Sequence, residues 1–168
     1  MGQPALPDDL LASLASELTP EEAPFLAHLE SSLILEWMDE GTDRLGNTRF
    51  EMNHHELFKR RRLGGPPGSV TISLHPILKE DDALFRHTLI HELLHAAGLL
   101  EHTKRHSELA DQIAPAPSLS ESPALRSLRE QVLGASEKKE WRCAKCGASW
   151  QRKTVKRPSR CPKCATRI

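Results

Sequence analysis

Five histidines fall between His87 and His106, in the run HTLIHELLHAAGLLEHTKRH. Leu89, Ile90, Leu93, Leu94, Ala96 and Ala97 flank the central pair, so the segment reads as a largely buried helix. An imidazole in such a helix is costly unless something partners it. His91 and His95 are four residues apart, which on a helix places both rings on one face, one turn apart. With Glu92 they spell H-E-x-x-H. Two neutral imidazoles at this spacing can share a Zn²⁺ ion at about 2.0 Å. The carboxylate beside them can take a proton from a water that the metal acidifies. His91 and His95 are therefore expected as ligands and Glu92 as the general base.

A third ligand cannot come from a straight continuation of this helix. His102 would then lie about 10 Å beyond His95 at ~1.5 Å per residue, so the chain has to break and return. Gly98 or the polar run EHTKRH permits that break. In the metzincin spacing H-E-x-x-H-x-x-G-x-x-H, Gly98 fits, but Glu101 stands at the last position and His102 comes one residue late. His106 leads into SELADQI, where Leu109 and Ile113 can anchor a helix and hold a ligand on its first turn. The expected third ligand is His106, with His102 as the alternative and Glu101 behind both. His87 lies one turn before His91 and is expected either to support a ligand or to face solvent. His28, His54 and His55 read as surface or loop residues, and His75 as a strand-end residue that could face the cleft.

The second constraint is at the C-terminus. Cys143, Cys146, Cys161 and Cys164 form two C-x-x-C pairs, the spacing of a closed, structural Cys₄ zinc site. A segment of about 30 residues has too little core to fold by apolar burial alone, so the metal would hold it together. Trp141 and Trp150 suit either a small core over the cysteines or a stacking surface for bases. Charge separates this tail from the rest: residues 136–168 carry 11 Lys and Arg against 2 Asp and Glu, and residues 1–135 carry 12 against 21. Lys145, Arg152, Lys153, Lys156, Arg157 and Arg160 are the expected phosphate contacts, with DNA as the partner. Lys59, Arg60, Arg61 and Arg62 form a second basic cluster, expected on a solvated loop KRRRLGGPPG.

Between these features, Thr19 and Glu22 have capping-box spacing with Pro20 at the first helical position. Phe25, Leu29, Leu33 and Trp37 then recur every four residues, which predicts a helix up to Gly41, after a shorter one from Asp8 to Leu18. NTRFEMNHHELF is expected to hold a strand. SVTISLH alternates Val70, Ile72 and Leu74 with smaller polar residues, which predicts a half-buried strand ended by Pro76. Its edge is expected to receive an extended substrate. Asp81 and Asp82 open the H-E-x-x-H helix, which should run to about Leu99. HSELADQI and ALRSLREQVL are expected helices on either side of the linker APAPSLSESP. No apolar run approaches a membrane span, so no membrane partner is expected. The first basic residue is Arg44, which argues against a secretory leader; a cytoplasmic monomer is expected, with association with the nucleoid as an option.

The run SVTISLHPILKEDDALFRHTLIHELLHA, followed by the W-x-C-x-x-C-G … C-x-x-C tail, resembles the SprT-like family, which includes the Spartan proteases. The resemblance spans roughly residues 20–168. It implies an α+β fold, mainly helical and zincin-like with a small sheet, plus a zinc ribbon. The implied division is residues 1–113 as the metallopeptidase domain, 114–137 as a linker with a short helix, and 138–168 as the Cys₄ ribbon. It also implies one catalytic and one structural Zn²⁺, and an endopeptidase acting on proteins bound or crosslinked to DNA. Two alternatives are a non-catalytic nucleic-acid-binding zinc protein and a metal-dependent nuclease. One family of RNA-processing hydrolases shares H-x-x-x-H … H but lacks the glutamate found here as Glu92.

Overall fold

A computed structural model describes residues 2–135 and 140–168. The chain forms two compact units, residues 1–122 and 123–168. The first mixes helices with a three-stranded sheet of order β1-β3-β2: β1 is Leu33–Trp37, β2 Gly46–Phe50 and β3 Val70–Leu74. β1 runs parallel to β3, pairing Leu35 with Ile72, and β2 runs antiparallel to it, pairing Thr48 with Ile72. β3 is thus the central strand, with Val70, Ile72 and Leu74 fully buried. The predicted alternation holds, but both edges of β3 are taken, so it cannot add a substrate strand. β1 and β2 are the outer strands.

The helix predicted from Pro20 to Gly41 does not form. Thr19 and Glu22 do make the reciprocal capping bonds, Thr19 N–H to Glu22 Oε2 at 3.1 Å and Glu22 N–H to the Thr19 hydroxyl at 3.3 Å. Pro24 then stops propagation, because it lacks an N–H and disfavours helical backbone at Ala23. The chain continues through a 3-10 turn, Leu26–His28, and the short helix α2, Leu29–Ser32, into β1. There Leu33 and Trp37 obey a period of two with Leu35 as well as the misleading period of four.

Helix α1, Asp8–Glu17, buries Leu10 and Leu14. The KRRR run is helical rather than looped: α3 spans His54–Leu63. Asn53 caps it by accepting from Glu56 N–H at 3.0 Å, and Gly64 closes it at φ 67°. Arginines and lysine propagate a helix well and favour its C-terminal end. The loop begins only at Gly64-Gly65-Pro66.

Helix α4, Asp82–Ala96, starts where Asp81 accepts from Leu84 N–H at 3.0 Å. It lies against β2 and β3 and buries Leu89, Ile90, Leu93 and Leu94 completely. These side chains, with Phe25, Leu29, Ile72, Leu78 and Leu109, make the core. α4 ends three residues short of the predicted Leu99. Gly98 takes φ 114°, and a Cβ there would meet Pro24 Cδ at 3.0 Å. The helix therefore stops against the proline that also broke the N-terminal one. Helix α5, Lys104–Ile113, follows, capped by the Thr103 hydroxyl accepting from His106 N–H at 3.2 Å.

The second unit holds α6, Pro123–Ala135, and a hairpin of β4, Glu140–Arg142, and β5, Ser149–Gln151. Trp141 and Trp150 are cross-strand partners, the first buried and the second half-buried. Among the described residues no helix is long and apolar enough to cross a membrane.

Candidate metal centres

Three imidazoles meet at the mouth of α4. His91 Nε2 and His95 Nε2 each lie 3.1 Å from His102 Nε2. α4 supplies the first two at i and i+4, and the break at Gly98 folds the next residues back so that His102 joins them. The third member is thus His102, the alternative, and His106 is not part of the triad. The reason is the early end of α4: with the turn at Gly98, four residues suffice to return a side chain to His91. The spacing from Gly98 to His102 is G-x-x-x-H, one residue longer than G-x-x-H.

The donor set fits a metal. A tetrahedral zinc with Zn–N of ~2.0–2.1 Å sets its nitrogens about 3.3 Å apart, close to the separations found. His95 Nδ1 lies 2.8 Å from the Leu99 carbonyl oxygen, so Nδ1 carries the proton and Nε2 presents its lone pair. Burial, with His95, His102 and His87 nearby, lowers the His91 imidazole to about 4. His95 is lowered as well, by burial, against the opposing Leu99 carbonyl. Neutral rings with convergent lone pairs are what coordination requires.

His106 lies beneath. It is fully buried, and its ring stacks on His95 at 4.3 Å between centroids and meets His91 edge-on at 4.5 Å. Neither of its ring nitrogens has a well-formed hydrogen bond. Burial, then His95, His91 and His102, lower it to about 4. His106 therefore backs the two α4 ligands as a neutral ring. His87 is half-buried, and its Nδ1 lies 2.7 Å from the Ala114 carbonyl oxygen, tying α4 to the end of α5. His75 is buried away from the cleft, where its Nδ1 accepts from Ile77 N–H and its Nε2 meets the Glu40 carbonyl.

Glu92 stands beside the triad, 7% exposed. Thr48 Oγ1 lies 2.7 Å from its Oε2 and 3.0 Å from its carbonyl oxygen. Gly46 lets the carboxylate press against β2, since a Cβ at that position would sit 2.7 Å from Oε1. Burial raises the Glu92 carboxyl above the usual range, opposed by the Thr48 hydroxyl and more weakly by His102 and Arg44. Gly46 and Thr48 are the functional residues that the sequence did not mark. They lie far from Glu92 along the chain, and only the β2–α4 packing brings them together. Around this centre opens a cleft of about 760 Å³, with β2 along one side, Leu57 and Phe58 of α3 on another, and Leu100 to His102 on a third. His54, expected on the surface, also lines it, as does Glu101, which does not join the triad.

The cysteines form the second centre. Cys143 and Cys164 Sγ atoms lie 3.6 Å apart, and Cys146 and Cys161 3.7 Å. These distances exclude disulfides, whose sulfurs bond at about 2.0 Å, and match the ~3.8 Å edge of a tetrahedron with Zn–S of ~2.3 Å. The two knuckles repeat one backbone plan. Cys143 N–H donates to Ala148 O and Gly147 N–H to Cys143 O; Cys161 N–H donates to Thr166 O and Ala165 N–H to Cys161 O. Gly147 and Ala165 occupy the same left-handed corner, at φ 68° and 53°. The Thr166 hydroxyl, 3.3 Å from Cys164 Sγ, lowers that thiol to about 6.

Of the expected phosphate contacts, Lys145, Lys153, Lys156, Arg157 and Arg160 are exposed. Arg152 differs: its guanidinium donates to the carbonyls of Thr154 and Val155 at 3.2 and 2.9 Å and so shapes the loop between the knuckles.

Residues 125–167 match a family described as a probable treble clef zinc finger domain. No curated protein and no solved structure matches the chain. The second unit is thus similar to a zinc-finger family and carries a Cys₄ cluster, and the first carries a histidine triad suited to zinc.

Proposed function

We propose that the chain is a zinc-dependent endopeptidase acting on proteins bound or crosslinked to DNA. One observation carries this reading: three convergent imidazole nitrogens stand beside a buried carboxylate on the wall of an open cleft. The order of strand, H-E-x-x-H helix and zinc-binding tail, which resembles the SprT-like family, supports it. A zinc ion held by His91, His95 and His102 would polarise a peptide carbonyl and acidify a water. Glu92 takes the proton as the water oxygen bonds to the carbonyl carbon. It then gives that proton to the amine nitrogen as the C–N bond breaks. Thr48 and Gly46 keep the carboxylate aimed while it does so. Among the described residues β2 has only β3 as a strand partner, and its residues line the cleft, so an extended substrate segment can pair along its open side. The zinc unit, with its exposed cations, brings the enzyme to DNA.

A nuclease would use the same imidazoles but has no need of Glu92. Incubating the zinc-loaded protein with a protein–DNA conjugate, with the free protein and with RNA separates the two. Cleavage of the conjugated polypeptide, abolished by chelation, is expected. Scission of RNA with the polypeptide left intact would replace the reading.

A further inference from the structure

Folding the KRRR run into α3 sorts its four cations. Arg60 turns back on Glu56 at 3.1 Å and donates to Pro66 O at 3.1 Å. Arg61 donates to Gly98 O at 2.7 Å and so holds the turn that returns His102 to the triad. Lys59 and Arg62 remain. They fall with His55 at i, i+4 and i+7, one stripe of the helix, and all three are exposed. The stripe forms one wall of a groove of about 750 Å³, faced by Pro20, Glu21 and Pro24. Phe58, 46% exposed, lines both this groove and the metal cleft, so the two adjoin at its ring.

This cationic stripe lies on an acidic body, in which residues 1–135 carry 12 Lys and Arg against 21 Asp and Glu. Among the described residues its one ion pair is a long one, Lys59 to Glu56 at 3.9 Å. We propose that the groove seats the phosphate backbone of a nucleic acid beside the metal cleft, as a contact surface additional to the zinc unit. At ~1.5 Å per residue Lys59 and Arg62 stand about 4.5 Å apart along α3, and their long, exposed side chains can spread from there to neighbouring phosphates. A polypeptide joined to that strand would then be delivered to the cleft past Phe58. The inference rests on the reading that the chain works on DNA-bound proteins.

The test is fluorescence anisotropy of the full, zinc-loaded chain with labelled oligonucleotides over a salt series. Each phosphate contact contributes about 0.7–0.9 to the slope of log K against log salt. Charge reversal of both residues, K59E with R62E, should therefore flatten the slope by about 1.5 and weaken binding at least tenfold. The pair K59R with R62K should keep the native slope. Zinc content and thermal melting report on folding, and K59Q with R62Q serves if the reversed pair does not fold. A native slope in the neutralised or reversed variant overturns the groove alone. Failure of the native chain to bind any oligonucleotide overturns the groove and the DNA-directed reading together.

Discussion

The Thr48 hydroxyl lies 2.7 Å from Glu92 Oε2, joining the outer strand β2 to the helix that supplies the metal ligands. A hydrogen bond to a charged group contributes about 1.5–3 kcal/mol. Thr48→Val should therefore lower kcat about tenfold or more while zinc binding stays native. Gly46→Ala pushes a methyl to within 2.7 Å of Glu92 Oε1 and should cost more activity than T48V. Equal zinc content with graded loss of turnover is the expected result. Full activity in G46A would show that the carboxylate does not need its present position.

His102 and His106 separate by metal stoichiometry. The native protein should hold two zinc ions per chain, and His102→Ala should leave one, held by the four cysteines. His106→Leu keeps the buried volume and should retain both, with looser binding at the histidine site because the rings of His91 and His95 lose their backing. Metal analysis of the purified variants checks this. Loss of zinc in H106L with retention in H102A would reverse the assignment.

Gly98→Ala strains the turn that returns His102. A non-glycine residue at positive φ costs roughly 1–2 kcal/mol, and the new Cβ meets Pro24 at 3.0 Å. A lower melting temperature together with weaker zinc binding at the histidine site is expected. Destabilisation with unchanged zinc affinity would uncouple the turn from the triad.

Ala165 offers the opposite change. It holds the left-handed corner that Gly147 holds in the other knuckle. Ala165→Gly should stabilise the second unit by about 1 kcal/mol, read as slower loss of the cysteine-bound zinc to a chelator. A faster loss would count against the equivalence of the two knuckles.

What could be read beforehand follows from how local each signal is. The alternation of Val70, Ile72 and Leu74, the cap at Asp81 and the H-E-x-x-H spacing are complete within a few residues, and the fold keeps them. The segment from Phe25 to Trp37 satisfies two periods at once, and Pro24 and the pairing with β3 decide between them. The choice of His102 over His106 depends on where α4 ends, which is set by Gly98 packing on Pro24, some seventy residues earlier in the chain. Thr48 and Gly46 left no local trace, because their role exists only through β2 lying against α4.

Glu92→Gln on a protein covalently attached to DNA tests the central claim most directly. The variant keeps the shape of the side chain and leaves His91, His95 and His102 in place, so zinc content and DNA affinity should match the native chain. Cleavage should fall by at least a hundredfold, in line with the loss of a general base. Undiminished cleavage by E92Q, or no cleavage of the conjugate by the native zinc-loaded protein, would contradict the peptidase assignment.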